Sequence, residues 1–222
     1  MIDGQHRIAG LYEFKSPSFE MPVTVFIGSD LADQAYVFAT VNLEQTKVSK
    51  SLAYDLFALA KTRSPQRTCH NIAVVLDSDE KSPFYKRIKR LGVATPGRIG
   101  ETITQATFVE SLLPYISRQP KEDRDLLLKG GKLPRLSQTE KQQLIFRDFF
   151  LDERDLDIAD VIFNYFSAIS ERWHEGWIGS ERGIILNRAS GFRALMKVLR
   201  PLYLKARECG GNRIHRQIPE RI

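Results

Sequence analysis

Cysteine is scarce in this chain. Cys69 and Cys209 are the only two among 222 residues, which excludes a small secreted scaffold stapled by disulfides. No apolar run approaches the roughly 18 residues of a membrane-spanning helix, and the mean hydropathy is -0.29. The opening Met-Ile-Asp-Gly-Gln-His-Arg lacks the basic start and apolar stretch of a signal peptide, so a reducing cytoplasm is the expected compartment. Metal and nucleotide signatures are missing as well. Cys69 and His70 are adjacent and the four histidines are scattered, so no zinc site assembles from spacing. Gly130-Gly131-Lys132 has the wrong spacing for a P-loop, with Leu133 in place of Ser or Thr. There is no internal repeat and no low-complexity tract. What the chain does have is 13 Phe and 7 Tyr, enough large side chains for the core of one or two domains.

Charge is unevenly spread. The formal net charge is +6 and the pI about 9.3. Residues 1–60 carry 4 basic and 7 acidic side chains, and 61–135 carry 15 and 8. Residues 136–180 carry 4 and 9, and 181–222 carry 10 and 3. Two basic blocks suit a polyanionic partner better than a diffuse excess does, although two solvated basic surfaces account for the same numbers.

Periodicity predicts a mixed α+β chain. A short helix is expected over Ile8–Phe14, opening from the Asp3-Gly4 turn, followed by a buried strand over Met21–Ile27 (MPVTVFI). Leu31, Ala35, Phe38 and Val41 mark a helix ending near Asn42. Ser49 caps a second, with Leu52, Leu56 and Leu59 on one face. A third covers Arg67–Ser78, presenting Cys69, Ile72, Ala73 and Leu76. Strand-like segments follow at Phe84–Leu91 and Glu101–Phe108, paired across a loop bearing Gly and Pro. Residues 121–136, charged and holding Gly130-Gly131 and Pro134, form the expected linker between a domain at 1–120 and a helical region at 137–208. In that region Ser137 and Glu140 make a capping box, and Ile158, Ile162, Tyr165, Ile169 and Trp173 mark a long amphipathic helix. The last helix carries Phe192, Leu195, Met196 and Leu199 and should kink or end at Pro201. Residues 209–222 lack periodicity and are expected to be mobile.

Asp3-Gly4-Gln5-His6-Arg7 is the most unusual stretch. A turn that exposes backbone N–H groups at a helix start, with His6 and Arg7 adding donors, suits a phosphate. An ordinary polar Asp-Gly turn is the plainer reading. The pentapeptide resembles the signature of the DGQHR-domain family, whose best-known members are the DndB proteins of bacterial DNA phosphorothioate clusters. Val37-Phe38-Ala39-Thr40-Val41-Asn42, Val48-Ser49, Ser82-Pro83-Phe84 and Leu186–Phe192 are similar to segments that accompany it there. The resemblance implies a small mixed sheet of the ParB/sulfiredoxin-like type followed by a mainly helical part. It also implies a phosphate or nucleotide site at Asp3, Gly4, Gln5, His6, Arg7 and Asn42. Gly4 would allow close backbone approach, and His6 and Arg7 would contact phosphate. Gln5 stands where sulfiredoxins have their reactive cysteine, so sulfinic-acid reduction is not expected. In the family a strand and a sizeable region precede the pentapeptide, whereas here only Met1 and Ile2 do. The sheet is therefore expected to be incomplete at its N-terminal side.

Two basic segments complete the candidates. Lys86, Arg87, Lys89 and Arg90, beside Phe84 and Tyr85, can grip successive phosphates or protect a solvated edge strand. Arg193, Lys197 and Arg200, continued by Arg207, form a stripe on the last helix that is either a DNA contact or a solvated face. These features lead to the expectation of a DndB-like, DNA-associated regulator or accessory factor, partnered by DNA and by other proteins of a modification cluster. The alternatives are an enzyme that hydrolyses ATP or another nucleoside triphosphate with Mg2+ at the DGQHR loop, and a non-functional remnant.

Overall fold

Ser64 opens the helix against which much of the fold packs. Its backbone is extended and its hydroxyl accepts from Arg67 N at 3.1 Å, while Pro65 supplies a preset φ in the first turn. The computed structural model describes residues 4–15, 18–31, 33–35, 37–38, 50–57, 62–179, 181 and 183–209. In chain order the helices are α1 (Gln5–Leu11), α2 (Lys50–Phe57) and α3 (Pro65–Ser78). Two short strands follow, β1 (Ile88–Lys89) and β2 (Ile103–Thr104), then α4 (Gln105–Leu112) and a 3-10 turn at Leu113–Tyr115. The remaining helices are α5 (Pro120–Leu128), α6 (Gln138–Lys141), α7 (Arg147–Leu151), α8 (Asp155–Arg172), α9 (His174–Ile178) and α10 (Ala189–Glu208). The described part is therefore mixed and mostly helical, with one small parallel sheet.

Cys69, Ile72, Ala73 and Leu76 of α3 are all buried, as their spacing predicts. They join one apolar cluster running from Tyr54 of α2 to Tyr203 of α10. The cluster thus draws on both sides of residues 121–136, and the first part of that segment lies within α5 rather than in open linker. Five rings form its centre. Phe84 lies edge-on to Phe166 at 4.8 Å, Phe108 at 5.6 Å, Trp177 at 5.7 Å and Phe192 at 5.8 Å, while Phe192 stacks on Phe108 and Phe166. Such pairs add about 0.5–1.5 kcal/mol each beyond the area they bury. Gly191 lets α10 approach this closely, because a Cβ there would lie 2.2 Å from the carbonyl oxygen of Ile185.

Several expected elements take another form. Met21–Ile27 is not a strand. It has no ladder partner among the described residues, and Val23, Val25 and Ile27 are largely exposed. Strand-forming side chains cannot stabilise an extended segment whose N–H and C=O groups find no second strand. Of Phe84–Leu91 only Ile88–Lys89 is strand, and Ile103–Thr104 beside it runs parallel, with Ile88 opposite Ile103. From Gln105 the expected second strand is helix, because Thr104 is an N-cap whose hydroxyl accepts from Thr107 N at 3.1 Å. Helix α10 continues through Pro201. Pro201 lacks the N–H that would bond the Lys197 carbonyl, while Tyr203 beyond it packs edge-on against Phe146 at 5.7 Å. The capping box at Ser137 and Glu140 is formed, and α8 buries Ile158, Ile162 and Ile169, while Trp173 caps its end and stays half exposed. The expected cap Ser49, with Val41, Asn42 and Leu59, lies outside the described residues, as does the tail beyond 209.

Candidate functional site

The polar residues of the sequence divide into four groups. At the chain start, Gly4 is the N-cap of α1 in the left-handed region (φ 97) with no side-chain cap. The Arg7 guanidinium folds back over it, 3.9 Å from where a Cβ would stand. No residue of α1 is buried, so Gln5, His6 and Arg7 project from an exposed helix. Asp3 and Asn42 lie outside the described residues.

The second group, Lys86–Arg90, does not form one row. Lys86 adopts a left-handed φ of 54, is exposed, and holds its ammonium 4.8 Å over the Tyr85 ring. Arg87 turns inward and donates to the Trp177 carbonyl oxygen at 3.0 Å; burial lowers its pKa. Lys89 is half-buried in β1. Arg90 leans toward α2, where its Nη2 stands 3.5 Å from Asp55 Oδ1. Buried Asp77 at the end of α3 holds this turn in place: its carboxylate accepts from Ile88 N at 3.0 Å and from Arg98 Nη1 at 2.7 Å. Hydrogen bonding to Asp77 pushes the Arg98 pKa up.

On α10 the basic stripe is real. Arg193, Lys197 and Arg200 are exposed on one flank, beside the stripe of buried Phe192, Met196, Leu199 and Tyr203. Arg193 donates to Thr107 Oγ1 at 3.4 Å, while neither Lys197 nor Arg200 pairs with a described carboxylate. Ser82-Pro83-Phe84 and Leu186–Phe192, far apart in the chain, converge on Trp177. Its indole N–H donates to the Pro83 carbonyl oxygen at 3.0 Å, and Asn187 Nδ2 donates to its carbonyl oxygen at 2.8 Å. These segments close the core.

The fourth group escaped the sequence reading. Both strands of the parallel pair end on the same edge, which places Arg90 beside Gln105, and α2 and α3 bring Asp55 and His70 to the same spot. His70 Nδ1 lies 2.5 Å from Gln105 Nε2 and 3.9 Å from Asp55 Oδ1. Burial lowers the His70 pKa to about 4; Asp55 opposes that effect, and Arg90 and Arg67 reinforce it. At neutral pH His70 is therefore uncharged, with its Nδ1 hydrogen-bonded to the Gln105 amide. Gln105 is fully buried, yet its Oε1 has no partner among the described residues, nor do the buried atoms Thr102 Oγ1 and Arg90 Nε. Of these residues the sequence reading had singled out only Arg90, and His70 only as an isolated histidine.

Elsewhere, a cleft of about 740 Å³ between α6, α8 and the end of α10 is lined by Asp148, Asp152, Asp157, Lys141, Arg154 and Arg207. Its carboxylates are engaged by Arg135, Lys141 and Arg154. Among the described residues no group of three or more His, Cys, Asp and Glu is arranged to hold a metal ion, and no helix is long and apolar enough to cross a membrane. No family model, no curated protein and no solved structure matches this chain.

Proposed function

We propose that this protein binds DNA through its phosphates, as a DndB-like regulator or accessory factor of a bacterial DNA-modification or defence cluster. The observation that carries this reading is the flank of α10. Arg193, Lys197 and Arg200 are exposed on one side of the helix, which bears no carboxylate before Glu208. Three cations that are not neutralised by their own helix attract a polyanion, and each phosphate they occupy releases counterions. The small parallel sheet with helices packed on it is compatible with a ParB/sulfiredoxin-like core, and the other proteins of such a cluster are the proposed protein partners. Fluorescence anisotropy with a labelled duplex, from about 50 to 200 mM salt, tests the reading. Binding should weaken steeply with salt, and the Arg193→Ala, Lys197→Ala, Arg200→Ala triple variant should flatten the log–log slope by about 2–3. Absence of binding at the lowest salt, or an unchanged slope, would sink it.

A second reading rests on Arg7 folded over left-handed Gly4. That pairing gives a triphosphate both an open backbone and a guanidinium, and supports nucleotide hydrolysis with Mg2+. Magnesium-dependent phosphate release that disappears in Arg7→Ala would support it; release that persists would count against it.

A further inference from the structure

A cleft of about 590 Å³ opens where α2, α3, α4 and α5 meet. Tyr54 of α2, Leu113 after α4 and Pro120 at the start of α5 give it apolar walls. Two links brace α2 against α4: Ala106 N donates to Ser51 Oγ at 3.0 Å, and the Lys50 ammonium meets the Glu110 carboxylate at 2.6 Å. The cleft is therefore preformed, and its size is that of a small-molecule site, about 300–1,000 Å³. Gln66 of α3 supplies the unusual feature of its lining. This residue is 5% exposed, and its Oε1 is buried without a hydrogen-bond partner among the described residues. Such an oxygen is rare, because it has lost its hydration and gained no donor. The last torsion of a glutamine side chain is soft, so a small rotation presents its carbonyl and amine together to the cleft. Acceptor and donor then lie in one plane, which matches the amino edge of a purine; glutamine reads adenine through its amino group and N7 in this way. The charges around the cleft do not favour an ion. Lys50 pairs with Glu110, Arg124 bonds Asp125 at 3.0 Å, and Lys121 is followed by Glu122.

We propose that this cleft binds an uncharged aminopurine ring of the adenine class, with Gln66 pairing to its amino edge and Tyr54, Leu113 and Pro120 enclosing the ring. None of these residues lies on α1 or α10, so the site stands whether or not those helices bind nucleotide or DNA.

Calorimetric titration of the full chain with adenosine tests the site. Saturable binding is expected, weakened about tenfold or more in Gln66→Leu. Purine riboside, which lacks the amino group, should bind the wild type about tenfold less tightly than adenosine and should bind Gln66→Leu as adenosine does. No saturable binding of adenosine overturns the proposal, as does equal affinity of the wild type for the two nucleosides. Adenosine affinity unchanged in Gln66→Leu overturns it too. Leucine is similar in shape and removes the orphaned amide, so the variant should fold, which circular dichroism checks. If it does not fold, the comparison of the two nucleosides on the wild type decides. Single-stranded oligo(dA) and oligo(dT) identify the source of the base. A preference for oligo(dA) that disappears in Gln66→Leu assigns the site to an unstacked base of a strand. Adenosine binding without that preference assigns it to a free nucleoside.

Discussion

His70 shows how one residue couples the interior to pH. Its folded pKa of about 4 lies below the ordinary 6.5, because burial disfavours the imidazolium. Between those values the unfolded chain takes up a proton that the native one refuses, so stability rises with pH across this window. The contribution is complete above pH 6.5 and declines as the pH falls toward 4, by roughly 3 kcal/mol at most. Urea unfolding of the wild type should weaken more steeply over this range than that of His70→Gln. Parallel profiles would show that His70 is not held neutral. Asp77 acts differently: it is fully buried and bonded on both oxygens, so it fixes geometry.

At the scale of the element, α10 carries an internal proline. Pro201 leaves one helical hydrogen bond unmade after its first three turns, and burial of Tyr203 and its contact with Phe146 hold the helix together beyond it. Pro201→Ala should therefore stabilise the protein by about 1–3 kcal/mol, read as a higher urea midpoint with unchanged slope. A loss of stability would mean that Pro201 shapes the helix in a way Tyr203 needs. Elements whose signals are local were legible in the sequence. Ser137 and Glu140 announce their own helix start, and Cys69, Ile72, Ala73 and Leu76 trace a stripe that nothing overrides. Glu101–Phe108 reads as one continuous strand, but only Ile103–Thr104 pairs, and the hydroxyl of Thr104 starts a helix at once. The His70 cluster was illegible for a different reason. Asp55, His70, Arg90 and Gln105 come from different segments, and only the parallel strand ends and the packing of α2 on α3 and α4 unite them.

Across the whole molecule, apolar surface is divided unequally. From Tyr54 to Tyr203 it is gathered into one core, while Tyr12, Phe19, Val23, Val25, Ile27 and Leu31 near the chain start lie open. Exposed β-prone residues in sequence promote association without contributing to the fold. Val25→Lys with Ile27→Lys should leave the unfolding free energy within about 0.5 kcal/mol of the wild type and slow its aggregation. Light scattering and urea titration check the two halves of that expectation, and a marked loss of stability would mean that this segment packs against something in solution.

The two tryptophans make the fold its own reporter. Trp177 is sealed among phenylalanines with both ends hydrogen-bonded, whereas Trp173, four residues earlier, stands half in solvent. An aqueous quencher such as iodide should extinguish the red-shifted emission of Trp173 and leave the blue-shifted emission of Trp177. Opening of the aromatic centre would then be seen optically, without a label, as the moment the second signal becomes quenchable.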